Sequence, residues 1–169
     1  MVSDKSEIII HGSTSINNFS CSSSLVLMND TLPVLITPGK FIFTNARLIF
    51  TVNSIECGDN YSNKQLRNTL KSNQFPFILV DLMEISPDPS FFYKARTQLR
   101  VEVAGKQQLQ NVNLILRRAA EDVYHLSGVT QISMSEYDLV APSPMMGLIK
   151  VEDRLDIEIH LVLKVLMWD

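Results

Sequence analysis

The sequence predicts an all-β chain of about eight antiparallel strands with one short helix, folded as a single domain over residues 1–169. Three observations lead there. Apolar and polar residues alternate with a period of two along most of the chain, as strands with one buried face do. The strands follow one another through short connections, which suits an antiparallel meander. One stretch near residue 60 breaks the alternation with a helical spacing. Size agrees, because 169 residues with 46% hydrophobic and 20% charged content suffice for one core and exclude a disordered chain.

In chain order, the first strands fall near residues 7–12 and 15–28, the second crossing the polar run Ser22-Ser23-Ser24. Ile42, Ala46, Leu48, Phe50 and Val52 then oppose Asn45, Arg47, Thr51 and Asn53. Residues 60–73 form the helix: Leu66 and Leu70 share one face, Asp59 or Ser62 can cap its start, and Lys71 suits the dipole at its end. Pro76 blocks continuation and opens a strand over 76–86. Leu99, Val101 and Val103 face away from Gln98, Arg100 and Glu102, and Val112, Leu114 and Leu116 repeat the pattern. Tyr124, Leu126, Gly128, Thr130, Ile132 and Met134 oppose His125, Ser127, Gln131 and Ser133. The cleanest strand runs through Leu155, Ile157, Ile159, Leu161, Leu163 and Val165. Ala104-Gly105-Lys106 and Ala120-Glu121-Asp122 supply turns. Such strands pack as two sheets or close into a barrel, and the pattern alone allows both.

Several function classes drop out. A net charge of −3 gives no basic surface for a phosphate backbone, so no nucleic-acid partner is expected. The longest aliphatic stretch, Leu161–Trp168, is interrupted by Lys164 and falls short of a membrane span. Phosphate-binding loops, dinucleotide fingerprints, nucleophile elbows and H-E-x-x-H motifs are missing, so no catalytic residue and no enzyme activity is expected. His11, His125 and His160 each fall on a polar strand face, with no spacing that gathers them into a metal site. No metal or cofactor is expected. Asn18-Phe19-Ser20, Asn29-Asp30-Thr31 and Asn60-Tyr61-Ser62 match a sequon loose enough to arise by chance. Cys21 and Cys57 read as a bridge, a reactive thiol pair or two buried apolar residues. A bridge would close a loop of about 37 residues, worth roughly 3–4 kcal/mol in the chain-entropy account. Residues 1–6 carry no signal-peptide pattern, which suits a cytoplasmic start or one whose leader has been replaced. Two connections are unusually apolar: Phe91-Phe92-Tyr93, after two prolines, and Met145-Met146-Gly147-Leu148-Ile149. Each either plugs one barrel end or lines a ligand mouth.

Taken in order, these segments resemble the YceI-like family, in its Bacteroidetes-type two-cysteine version. Ile10-His11-Gly12-Ser13-Thr14-Ser15-Ile16 resembles the family's entry into its second strand. Leu70-Lys71 followed by Phe75-Pro76-Phe77-Ile78 is similar to its passage after the helix. Leu126 to Tyr137 resembles its late strand with a serine-acid-aromatic ending, and Gly147 to Asp153 its C-terminal signature. Two departures stand out: Asp138 follows Tyr137 where glycine is usual, and Tyr61 with polar neighbours replaces methionines at the helix start.

The resemblance implies a lipocalin-like antiparallel β-barrel, export to the periplasm or beyond, and non-catalytic binding of a polyisoprenoid or quinone-like lipid. It also implies two cysteines at places like Cys21 and Cys57, and because both sit next to the elements that frame the helix they are expected to lie close in space and to bridge. Strand parity, the helix face and the methionine loop then nominate Phe50, Leu66, Leu70, Ile78, Val80, Leu126, Ile132 and Met146 as ligand neighbours. The expected partner is an amphiphilic lipid, with a homodimer left open. The alternative is a filled barrel that serves as a structural or protein-interaction module.

Overall fold

The computed structural model describes residues 5–24 and 32–164. Val165 and the Asn29 sequon lie outside the described residues. Nine strands are described: β1 (Glu7–Ser13), β2 (Asn18–Ser24), β3 (Val34–Thr37), β4 (Lys40–Thr51), β5 (Phe77–Pro87), β6 (Lys94–Val103), β7 (Lys106–Ala120), β8 (Val123–Ser133) and β9 (Arg154–Lys164). The extra strand is β3, whose Val34-Leu35-Ile36 has no alternation for a period-two reading to find.

All nine belong to one antiparallel sheet in the order β2-β1-β9-β8-β7-β6-β5-β4-β3. From β3 to β9 each strand pairs with its sequence neighbour, and the N-terminal hairpin then docks on β9. Alternation sets the register: Ile8 faces Ile159 and Ile10 faces Ile157, so both strands turn isoleucine to the inside. Ala104 and Gly105 both take positive φ, the two-residue turn whose twist matches the strands it joins.

The sheet curls until β2 meets the chain just beyond β4. Ser22 and Glu56 exchange backbone hydrogen bonds at 2.9 Å in both directions. The next pair along is Cys21–Cys57, bridged, with Cα atoms 4.1 Å apart. That spacing suits a non-hydrogen-bonded antiparallel pair. The seam of this lipocalin-like barrel is therefore held by side chains and one backbone bridge, rather than by a full strand pairing.

Helix α1 spans Asn60–Thr69, shorter than the 60–73 expected. Asp59 caps it, accepting the Ser62 backbone N–H at 2.9 Å, while the Ser62 hydroxyl reaches its other oxygen. It ends because Lys71 adopts a left-handed backbone with φ 54°. A 3₁₀ turn over Val52–Ser54 precedes it, and another over Met134–Tyr137 follows β8.

Two expectations need correcting. His11 and His160 are not isolated: β1–β9 pairing brings the His11 ring onto Glu158 at 2.9 Å, and His160, two residues further along the same face of β9, reaches it at 2.7 Å. Their two hydrogen bonds hold the Glu158 carboxyl below its usual pKa. Nor does either apolar connection plug an end. Phe92, Met145, Met146 and Leu148 stand in solvent, and Met145 and Met146 do so from left-handed backbone. Lys94 sits 4.5 Å above the Phe91 ring, so that loop is ordered by its own contacts.

Candidate lipid cavity

The inward residues of the strands and one face of α1 line a void of about 120 Å³. Ile8 and Ile10 of β1, Leu48 and Phe50 of β4, and Ile78, Val80 and Leu82 of β5 form one wall. Leu99, Val101 and Val103 of β6 continue it, and Ile132, Leu155, Ile157, Ile159 and Leu161 complete the circuit. Leu66, Thr69 and Leu70 roof it from the helix, beside Met134, Tyr137 and Leu139.

The surface facing the void is all apolar. Polar residues at its margin turn their polar atoms away from it. The Gln110 amide donates toward the Tyr137 hydroxyl at 3.5 Å, a long contact. Burial pushes the Tyr137 phenol above its usual pKa, which keeps that margin neutral. A void of this kind stays dry and takes apolar guests by removing their surface from water.

Six of the eight nominated residues lie on this wall: Phe50, Leu66, Leu70, Ile78, Val80 and Ile132. Leu126 is buried and outside the lining, although its register partner Leu161 belongs to it. Met146 is fully exposed and takes no part, because its loop runs outward. Inward parity pointed to Leu99, Val101, Leu155, Ile157 and Ile159 as readily as to the nominated strand residues. Tyr137 and Leu139, in a turn and the segment after it, carried no periodic signal.

A larger, open groove of about 820 Å³ crosses the outer face between Lys40, Arg96, Asn113, Ser127 and His160. Its charged rim and solvent exposure make it the poorer host for a hydrocarbon. Among the described residues no group of three or more His, Cys, Asp or Glu side chains is arranged to hold a metal ion. No described helix is long and apolar enough to cross a membrane.

No protein-family profile and no curated relative matches the sequence. Solved structures do. BcnA from Burkholderia cenocepacia superimposes with a TM-score of 0.69 at 16% identity, covering 95% of this chain and 97% of that one. A polyisoprenoid binding domain from Saccharophagus degradans, implicated in plant cell wall breakdown, gives 0.64 at 12% identity, covering 96% and 95%. The Campylobacter jejuni YCEI protein gives 0.62 at 11% identity, covering 81% of each chain. The fold is the YceI-like barrel. The void lies under α1, with Leu66 and Thr69 on its wall.

Proposed function

We propose that this chain binds the apolar part of an amphiphilic lipid, a polyisoprenoid or quinone-like chain, in the void beneath α1, and carries it without catalysis. The carrying observation is a wholly apolar wall beneath α1, in a fold shared with a polyisoprenoid binding domain. Each CH₂ moved from water to that wall gains about 0.8 kcal/mol, so no polar recognition is needed for affinity. The Cys21–Cys57 bridge supports a periplasmic or secreted setting, where disulfides persist.

Volume sets the terms of binding. A void of about 120 Å³ is slightly smaller than the roughly 150 Å³ engineered cavity that admits benzene. It takes one ring or one short branched unit, and a longer chain must displace Leu66 and Leu70. The same smallness favours a second reading, a filled barrel that acts through its surface.

Mass spectrometry of organic extracts from purified protein separates the two. The first reading predicts a stoichiometric lipid in wild type and in Lys64→Glu, on the exposed side of α1. It predicts loss of that lipid in folded Leu70→Glu, where an unpaired carboxylate would meet the chain. No lipid in wild type, or equal lipid in folded Leu70→Glu, would give precedence to the filled barrel.

A further inference from the structure

The seam of the barrel and the roof of the void are one continuous piece of chain. Cys57 lies three residues before the first residue of α1. Its backbone N–H donates to the Asn63 side-chain oxygen at 2.7 Å, and the Asn63 amide donates to Glu56 at 2.6 Å. Asn63 is buried, so the first turn of the helix is fixed to the bridged segment through a shielded polar contact. Leu66 and Leu70, on the following turns, face the void. Across the seam, β2 contributes Cys21, the Ser22 backbone and the Ser23 hydroxyl, 3.3 Å from that of Ser54. Remove the covalent link and the described seam keeps one backbone bridge and one long hydroxyl contact.

We propose that the Cys21–Cys57 disulfide is a latch on the lipid cavity, and that its reduction releases the α1 segment and opens the way in and out. The proposal rests on the lipid-binding reading for its biological sense. Cys57 is the accessible partner, half-buried where Cys21 is fully buried. The reductant is a protein dithiol. Its thiolate attacks Cys57 Sγ, the S–S bond breaks, and Cys21 leaves as a thiolate that takes a proton from water. The second thiol of the dithiol then attacks its own mixed disulfide and frees Cys57. Two electrons pass to the bridge, and the dithiol becomes a disulfide. The long strands hold their ladders through this exchange, whereas α1 loses the covalent tie that anchors its start.

The test compares oxidised protein, dithiothreitol-reduced protein and Cys21→Ser/Cys57→Ser, using N-phenyl-1-naphthylamine as the apolar probe. Stopped-flow fluorescence should show uptake about tenfold faster in the reduced and serine forms, with a similar final amplitude. Hydrogen exchange should show a larger acceleration for amides of residues 60–75 than for those of β8 and β9, which follow only the loss of global stability. Equal uptake rates in the oxidised and reduced forms would overturn the latch. So would an equal acceleration in residues 60–75 and in all strands, which would mean general destabilisation alone. Should no form take up the probe, the lipid-binding reading fails, and the exchange pattern still decides whether the bridge holds the helix.

Discussion

Around Gly128, in mid-β8, the interior is filled to its limit. A Cβ built there would lie 2.6 Å from the Asn113 carbonyl oxygen and 2.9 Å from the Leu114 side chain. Under α1, the same alternating strands leave about 120 Å³ empty. Identical binary patterning thus yields close packing at one place on the wall and a cavity at another. What differs is the neighbour: at Gly128 the adjacent strand β7 closes in through Asn113, Leu114 and Val112, whereas beneath α1 the strands face a helix of three turns. Leu66 and Leu70 are the helix side chains that must fill that space, and they do not reach across it.

The comparison can be broken at several points, and the disulfide gives the largest effect. Its bridge closes a loop of 36 residues' separation, so Cys21→Ser/Cys57→Ser should lose about 3–4 kcal/mol in denaturant unfolding. A loss under about 1 kcal/mol would mean that the seam is held by other contacts. Next comes a matched pair of insertions. Gly128→Val should cost about 2–3 kcal/mol, because the nearest obstacle is backbone and cannot move aside. Val80→Ile places its extra methylene toward the void and should cost less than about 1 kcal/mol. Equal costs, by thermal or chemical unfolding, would erase the distinction between the two places.

A smaller effect tests the outer face behind the cavity. Arg47 clamps Asp81 across β4 and β5, with contacts of 2.6 and 2.9 Å. The Arg47 hydrogen bonds hold the Asp81 carboxyl below its ordinary value of 3.8, against the opposing effect of burial. A depressed carboxylate stabilises the fold above the unfolded-state pKa, and that stability fades as pH falls through the native one. Asp81→Asn should therefore cost about 1 kcal/mol at neutral pH, a figure reduced for the half-exposed guanidinium. The difference from wild type should vanish in unfolding curves taken well below pH 3.8. A difference that persists there would assign the effect to packing.

Much of this was legible in the sequence, for physical reasons that also mark where it stopped. Period two identified the inward side of most long strands, and the i, i+4 pair Leu66 and Leu70 placed one helix face on the interior; in β4 a register shift between Ile42 and Ala46 turns Phe41 and Phe43, rather than Ile42, toward the core. Parity has no depth coordinate, however. Leu126 and Ile132 share a face of β8, and only the assembled barrel puts Ile132, and not Leu126, at the void. Loop residues follow neither period. Met146 looked like a mouth residue because it is apolar, yet a left-handed backbone carries it outward, while Tyr137 turns in from a 3₁₀ turn. The contact of His11 with Glu158 depends on pairing between the first and last described strands, which no local pattern encodes, whereas His160 meets Glu158 along one face of β9.

The central claim is that an apolar chain lies under α1, and photo-cross-linking tests it most directly. A farnesyl probe carrying a diazirine on its terminal isoprene unit, irradiated with the protein and followed by peptide mapping, reports what the chain touches. The account predicts adducts on peptides bearing Leu66, Leu70, Phe50 and Ile78, suppressed in folded Leu70→Glu. Adducts confined to the outer groove around Arg96 and Asn113, or to the loop bearing Met145 and Met146, would contradict it.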